Sequence, residues 1–92
     1  MKYLSKEELE RLPKELVESV KGTLKAYRET CITYENGNYK EMPAYGICSS
    51  YARDFKVIGY VRDEDIYTLE ERIENYENEF KCKCPLRRLL NQ

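Results

Sequence analysis

Apolar residues recur at helical spacing through the first third of the chain. Leu9, Leu12, Leu16, Val20, Leu24 and Tyr27 are separated by 3, 4, 4, 4 and 3 positions, which draws a stripe down one side of a helix. Ser5 followed by Glu8 is a capping-box pattern, so a short helix is predicted to open at Ser5. Pro13 lacks the amide that a helix interior needs but suits a first helical position. The pattern therefore divides into a short helix ending near Leu12 and a second from Pro13 to about Tyr27. Gly22 offers an alternative end, with a strand starting at Thr23, but the stripe continuing to Tyr27 favours the longer helix.

From Glu29 the period changes. Thr30-Cys31-Ile32-Thr33-Tyr34 is β-branched and aromatic, which suits a half-buried strand. Asn36-Gly37 is a strong hairpin signal, because a type I′ turn requires positive φ at both central residues. Tyr39 to Met42 returns as the partner strand, which sets Tyr34 opposite Tyr39. Pro43 marks a bulge or an edge. Tyr45 to Tyr51 reads as extended, Ala52-Arg53-Asp54 as a turn, and Phe55 to Val61 as the last strand. Thr68 with Glu71 repeats the capping box and opens a helix to about Phe80, with Ile66, Leu69, Ile73, Tyr76 and Phe80 as its seam. Pro85 opens a basic tail, Leu86-Arg87-Arg88-Leu89-Leu90, with room for one terminal helical turn. The fold expected is α+β: N-terminal helices, a three- to four-stranded antiparallel meander, and a C-terminal acidic helix packed on the sheet.

A length of 92 residues fits one domain, 1–92. With 41% apolar and 36% charged residues and nine tyrosines, the chain has the composition of a folded protein. The formal net charge of −1 suits neither a generic DNA-coating protein nor an all-over acidic DNA mimic. Histidine is absent, which removes the usual general base, the commonest zinc ligand and the ordinary nucleophilic triads. The four glycines are scattered and form no phosphate loop. An enzyme is not expected, and neither is a cofactor.

The opening Met1 to Glu8 has no apolar run, and no stretch approaches the roughly 20 apolar residues that span a bilayer. The expectation is a cytoplasmic protein without membrane contact, in which Cys31, Cys48, Cys82 and Cys84 are thiols. Cys31 and Cys48 fall on predicted strands as small buried hydrophobes, and the C-x-C spacing of Cys82 and Cys84 is poor for zinc. The alternative for that pair is a reactive thiolate favoured by Lys81, Lys83, Arg87 and Arg88. Asp63 with Asp65 is a carboxylate pair that suits a hard cation, but acids before a helix more commonly offset its dipole, and no metal site is assigned.

Charge placement carries the most information. Between Arg62 and Glu79 stand eight acids and two bases, and Glu70, Glu74 and Glu77 line one helix face. Like charges at this spacing are mildly destabilising, so a cation is expected opposite them. It comes either from within the chain (the tail, or Lys14, Lys21, Lys25 and Arg28) or from a basic partner surface. Tyrosine is the second anomaly. Tyr34, Tyr39, Tyr45 and Tyr51 alternate with small or polar residues, which suits a strand and equally an interface, since tyrosine is enriched in both. The partner-binding set is therefore Asp63, Asp65, Glu70, Glu74, Glu77, Tyr34, Tyr39, Tyr45 and Tyr51. Direct nucleic-acid binding is disfavoured, because the predicted sheet offers Lys40, Arg53 and Lys56 against Glu29, Glu35, Glu41 and Asp54.

The stretch Gly59 to Tyr76, GYVRDEDIYTLEERIENY, together with Leu4-Ser5-Lys6-Glu7-Glu8-Leu9, resembles small uncharacterised proteins carried by phages and mobile elements of Gram-positive bacteria. The resemblance implies an accessory protein that acts by stoichiometric binding, for example by blocking a host defence or nuclease complex, and it carries no residue role. Two function classes follow. One is an inhibitor that meets a basic protein surface, in a host protein complex, through the acidic helix and tyrosines. The other is a homodimeric module that sequesters a small polar or nucleotide-like ligand in a cleft lined by tyrosine and arginine.

Overall fold

The computed structural model describes residues 2–47 and 55–91. Its elements are α1 (Lys6–Glu10), α2 (Lys14–Tyr27), β1 (Glu29–Glu35), β2 (Asn38–Pro43), a 3-10 turn (Ala44–Gly46), β3 (Lys56–Arg62), α3 (Asp63–Ile66), α4 (Leu69–Phe80) and a 3-10 tail (Pro85–Asn91). The class is α+β, as expected, with one three-stranded antiparallel sheet among the described residues.

Both capping boxes form. Glu8 N–H donates to Ser5 Oγ at 3.2 Å while Ser5 N–H donates to Glu8 Oε1 at 3.1 Å. Thr68 and Glu71 repeat the exchange at 3.2 and 3.0 Å. Each box satisfies two amides that a helix start otherwise leaves without partners. Helix α2 runs through Gly22 to Tyr27 and ends on Arg28, in left-handed conformation at φ 64°, whose N–H donates to Leu24 O at 2.7 Å. Helix α4 ends the same way on Lys81, φ 56°. A cation at each C-terminus also complements the helix dipole.

The stripe of α2 supplies the core. Leu16, Val20 and Leu24 pack with Ile32 of β1, Val61 of β3 and Leu4. Burial of each such side chain stabilises by about 1.5–3 kcal/mol. Leu4 reaches the core because residues 2–4 run parallel along the free edge of β3. Leu4 N–H donates to Tyr60 O at 3.0 Å, and Tyr60 N–H donates to Lys2 O at 2.8 Å. Gly59 makes that approach possible: a Cβ there would stand 2.5 Å from Leu4 Cδ2. The hairpin is as read, with Asn36 at φ 49°, Gly37 at φ 83° and Tyr34 paired with Tyr39.

Three details of the expected fold change. The strand order is β2-β1-β3, so β1 is central and the sheet is not a meander. Thr30, Cys31, Ile32 and Thr33 are buried on both faces of β1, whereas Asn38, Tyr39 and Lys40 of β2 are exposed and Pro43 has no amide to give. The apolar strand takes the centre and the polar one the edge. The strand expected from Tyr45 to Tyr51 does not begin at Tyr45, which lies in the 3-10 turn closed by Ile47 N–H to Ala44 O at 3.4 Å; residues 48–51 lie outside the described residues. The acidic helix was expected on the sheet, but α2 occupies that place, and α4 packs mainly against the 3-10 tail and α3. Lys81 turns the chain back, so the tail returns along α4 and buries Cys84, while Ile73 is the buried residue of α4. No helix among the described residues is long and apolar enough to cross a membrane.

Candidate functional site

The acidic residues do not form one free face. Asp65 accepts the Arg62 N–H at 3.1 Å and caps α3. Asp63 donates its N–H to Arg28 O at 3.3 Å and sets its carboxylate 3.9 Å from Arg72 Nε. Glu77 accepts from Arg87 Nε at 2.5 Å, Arg87 Nη2 at 2.6 Å and the Cys84 N–H at 2.9 Å. These contacts, the Arg87 pair foremost, hold the Glu77 carboxyl down at about 2 against an ordinary 4.5. The cation expected opposite the helix is therefore present in part, and it comes from the tail.

Glu70 and Glu74 remain. Both are exposed, and neither has an ion-pair partner among the described residues. With Glu77 and Arg87 they border a hollow of about 310 Å³ lined also by Ile73 and Leu90. A carboxylate rim with the exposed Leu90 beside it suits an aliphatic stem that ends in a cation.

The tyrosines divide between the two ends of the sheet. Tyr34 and Tyr39 pack edge to face at 5.0 Å beside the hairpin turn. Tyr45, 73% exposed, packs edge to face on Tyr27 at 5.4 Å, beyond the other end of β2. Along β1 the span from Thr30 to Tyr34 is roughly 13 Å at the ordinary strand rise. Tyr51 lies outside the described residues. Tyr34 and Tyr39 lie across the hairpin from each other.

A second concavity was not anticipated by residue. Helices α2 and α4 stand beside a groove of about 440 Å³, with α3 and the start of the tail completing it. Tyr67 ties α3 to α2 by donating to Lys21 O at 2.5 Å, and burial among Glu71, Glu18 and Asp63 raises its hydroxyl pKa. Tyr76 and Phe80, with centroids 4.6 Å apart, form an aromatic wall. Burial, then the Cys82 thiol, raises the Tyr76 pKa, and Arg28 opposes it. Lys25, Arg28 and Arg72 bring cations to the groove, and Asp63 and Glu79 bring carboxylates. The sequence carried a signal for it: Arg72 stands in an acidic helix one turn before Tyr76, on the seam side.

Cys31 is fully buried, and desolvation raises its thiol to about 11. Cys84 is also buried, while Cys82 is exposed. Among the described residues no three Cys, Asp or Glu side chains converge on a point where a metal ion could be held. The chain matches no protein-family model, no curated protein and no solved structure.

Proposed function

We propose that this chain is a small non-enzymatic binding protein that docks a basic segment of a partner protein onto α4. The observation that carries this reading is the hollow bordered by Glu70, Glu74 and Glu77. Its third carboxylate already holds a guanidinium, that of Arg87, through two parallel hydrogen bonds. The two carboxylates without cations stand one helical turn apart beside the exposed Leu90, where a partner's lysine or arginine stem finds apolar contact and its head finds charge. Nucleic-acid-handling proteins are one class that carries basic surfaces of this kind. A stoichiometric inhibitor of such a complex, of the phage-borne kind that the sequence resembles, is the sharpest form of the proposal. The tyrosines supply a secondary contact at most, since Tyr34 and Tyr39 lie at the hairpin.

The test is an NMR titration of the full chain with a short arginine-rich peptide, repeated on Glu70→Gln/Glu74→Gln. Shifts are expected at residues 70–78 and 90, with affinity reduced about tenfold by the double change and the melting temperature unaltered. Equal binding by the double variant, or shifts spread evenly over all acidic residues, defeats the reading.

A further inference from the structure

We infer that the groove between α2 and α4 is a second, independent site, one that takes a nucleoside monophosphate: a planar ring carrying a phosphate. The strongest observation is the Arg72 guanidinium, which lines the groove, stays 28% exposed and, among the described residues, has only one distant carboxylate beside it. Arg72 Nε is shielded from solvent and makes no hydrogen bond. The nearest carboxylate oxygen, Asp63 Oδ2, is 3.9 Å away, beyond hydrogen-bond reach. Nε itself is closed off, so it is the remaining, exposed part of the Arg72 guanidinium that is open to an acceptor in the groove.

Two further cations converge there from the last turn of α2, Lys25 and Arg28. Arg28 is exposed, but its backbone is fixed. Its backbone is pinned in the left-handed region by its N–H to Leu24 O and by its carbonyl, which accepts the Asp63 N–H. A non-glycine residue held at positive φ is uncommon and sets the side chain's point of departure. Asp63 and Glu79 offset part of this charge, so three cations face two carboxylates in a chain of net charge −1. A phosphate suits that excess better than a carboxylate does, because its larger charge and third oxygen can engage more than one cation at once.

The rest of the groove suits a ring. Phe80 is 46% exposed and stands against Tyr76. An aromatic face beside a cationic pocket is the arrangement on which bases stack. Asn75 supplies both an amide donor and a carbonyl acceptor in the same groove, which suits the edge of a base. The volume of about 440 Å³ is of the size that small-molecule sites have.

The experiment is a titration of the full chain with adenosine 5′-monophosphate, inorganic phosphate, adenosine, benzoate and a short oligonucleotide, followed by NMR at the arginine Nε–H and aromatic resonances. Saturable binding of the monophosphate, with a Kd of about 1 mM or tighter, is expected to move Arg72 Nε–H together with the Tyr76 and Phe80 rings. Phosphate and adenosine alone are expected about tenfold weaker. Arg72→Lys keeps the charge but not the fork, and is expected to weaken the monophosphate about tenfold at unchanged melting temperature. Phe80→Leu is expected to weaken the monophosphate and leave phosphate unaffected. The inference is overturned by absence of saturation, by phosphate binding as tightly as the monophosphate, by tighter binding of benzoate or of the oligonucleotide, or by unchanged affinity in Arg72→Lys.

Discussion

Arg87 clasps Glu77 through two parallel hydrogen bonds, Nε to Oε2 at 2.5 Å and Nη2 to Oε1 at 2.6 Å, and so joins the tail to the helix ten residues before it. The same carboxylate accepts the Cys84 N–H, which otherwise would be left without a partner at a buried position. One acidic residue thus acts as the anchor of the C-terminal hairpin, and of the three acids Glu70, Glu74 and Glu77 on that helix face only Glu70 and Glu74 are left without a cation among the described residues.

The anchor has a pH signature. Glu77 is expected to titrate at about 2, and in Arg87→Ala its midpoint should rise toward 4.5. Because the folded value lies below the unfolded one, the contact stabilises fully above 4.5 and is lost as the pH falls through about 2. Carboxyl-detected NMR reads both midpoints. A wild-type midpoint near 4.5 would mean that the pair does not persist in solution.

Gly59 should reject a side chain. Its Cβ would lie 2.5 Å from Leu4 Cδ2 and 2.7 Å from Leu4 Cγ, and Leu4 is buried in the core. Gly59→Ala is expected to destabilise by about 1–3 kcal/mol in chemical denaturation. Combined with Leu4→Ala the two costs should fall short of additive, since the second change makes room for the first. Strict additivity would show that the N-terminal segment does not lie over β3.

The Tyr67 hydroxyl holds α3 to α2 through Lys21 O. Tyr67→Phe is expected to cost about 1 kcal/mol and to speed amide exchange in α3, with α1 and the hairpin unaffected. Leu24→Ala, which empties part of the core, should cost more, about 2–5 kcal/mol. If the two variants melt together, the Tyr67 contact carries more of the fold than a single hydrogen bond does.

Thiol chemistry should follow burial. Cys82 is exposed and is expected to alkylate first under native conditions. Cys31, buried and raised to about 11, should react only on unfolding, and Cys84 should be slow behind the tail. In Arg87→Ala the Cys84 rate should rise while the Cys31 rate does not. Mass spectrometry of the alkylated peptides measures all three.

Docking through α4 predicts that the chain stays a monomer in light scattering at low and at high salt, because Arg87 already occupies the nearest carboxylate within its own chain. A dimer that dissociates with salt would put the basic tail of a second copy on Glu70 and Glu74, and the charge pattern would then belong to self-assembly.

Local chemistry was legible in the chain itself. Ser5 with Glu8 and Thr68 with Glu71 form their capping boxes, Asn36-Gly37 turns the hairpin, and the stripe from Leu16 to Leu24 is the core face of α2. Each depends on residues within about four positions, where backbone geometry leaves few choices. Tertiary structure decided the rest. Whether β3 lies beside β1 or β2, whether Glu77 meets Arg87 or solvent, and whether Arg28 and Arg72 share one groove are contacts between distant positions. Such contacts are set by which faces compete for burial across the whole chain, and the spacing of charges along one helix does not encode the partner each charge will find.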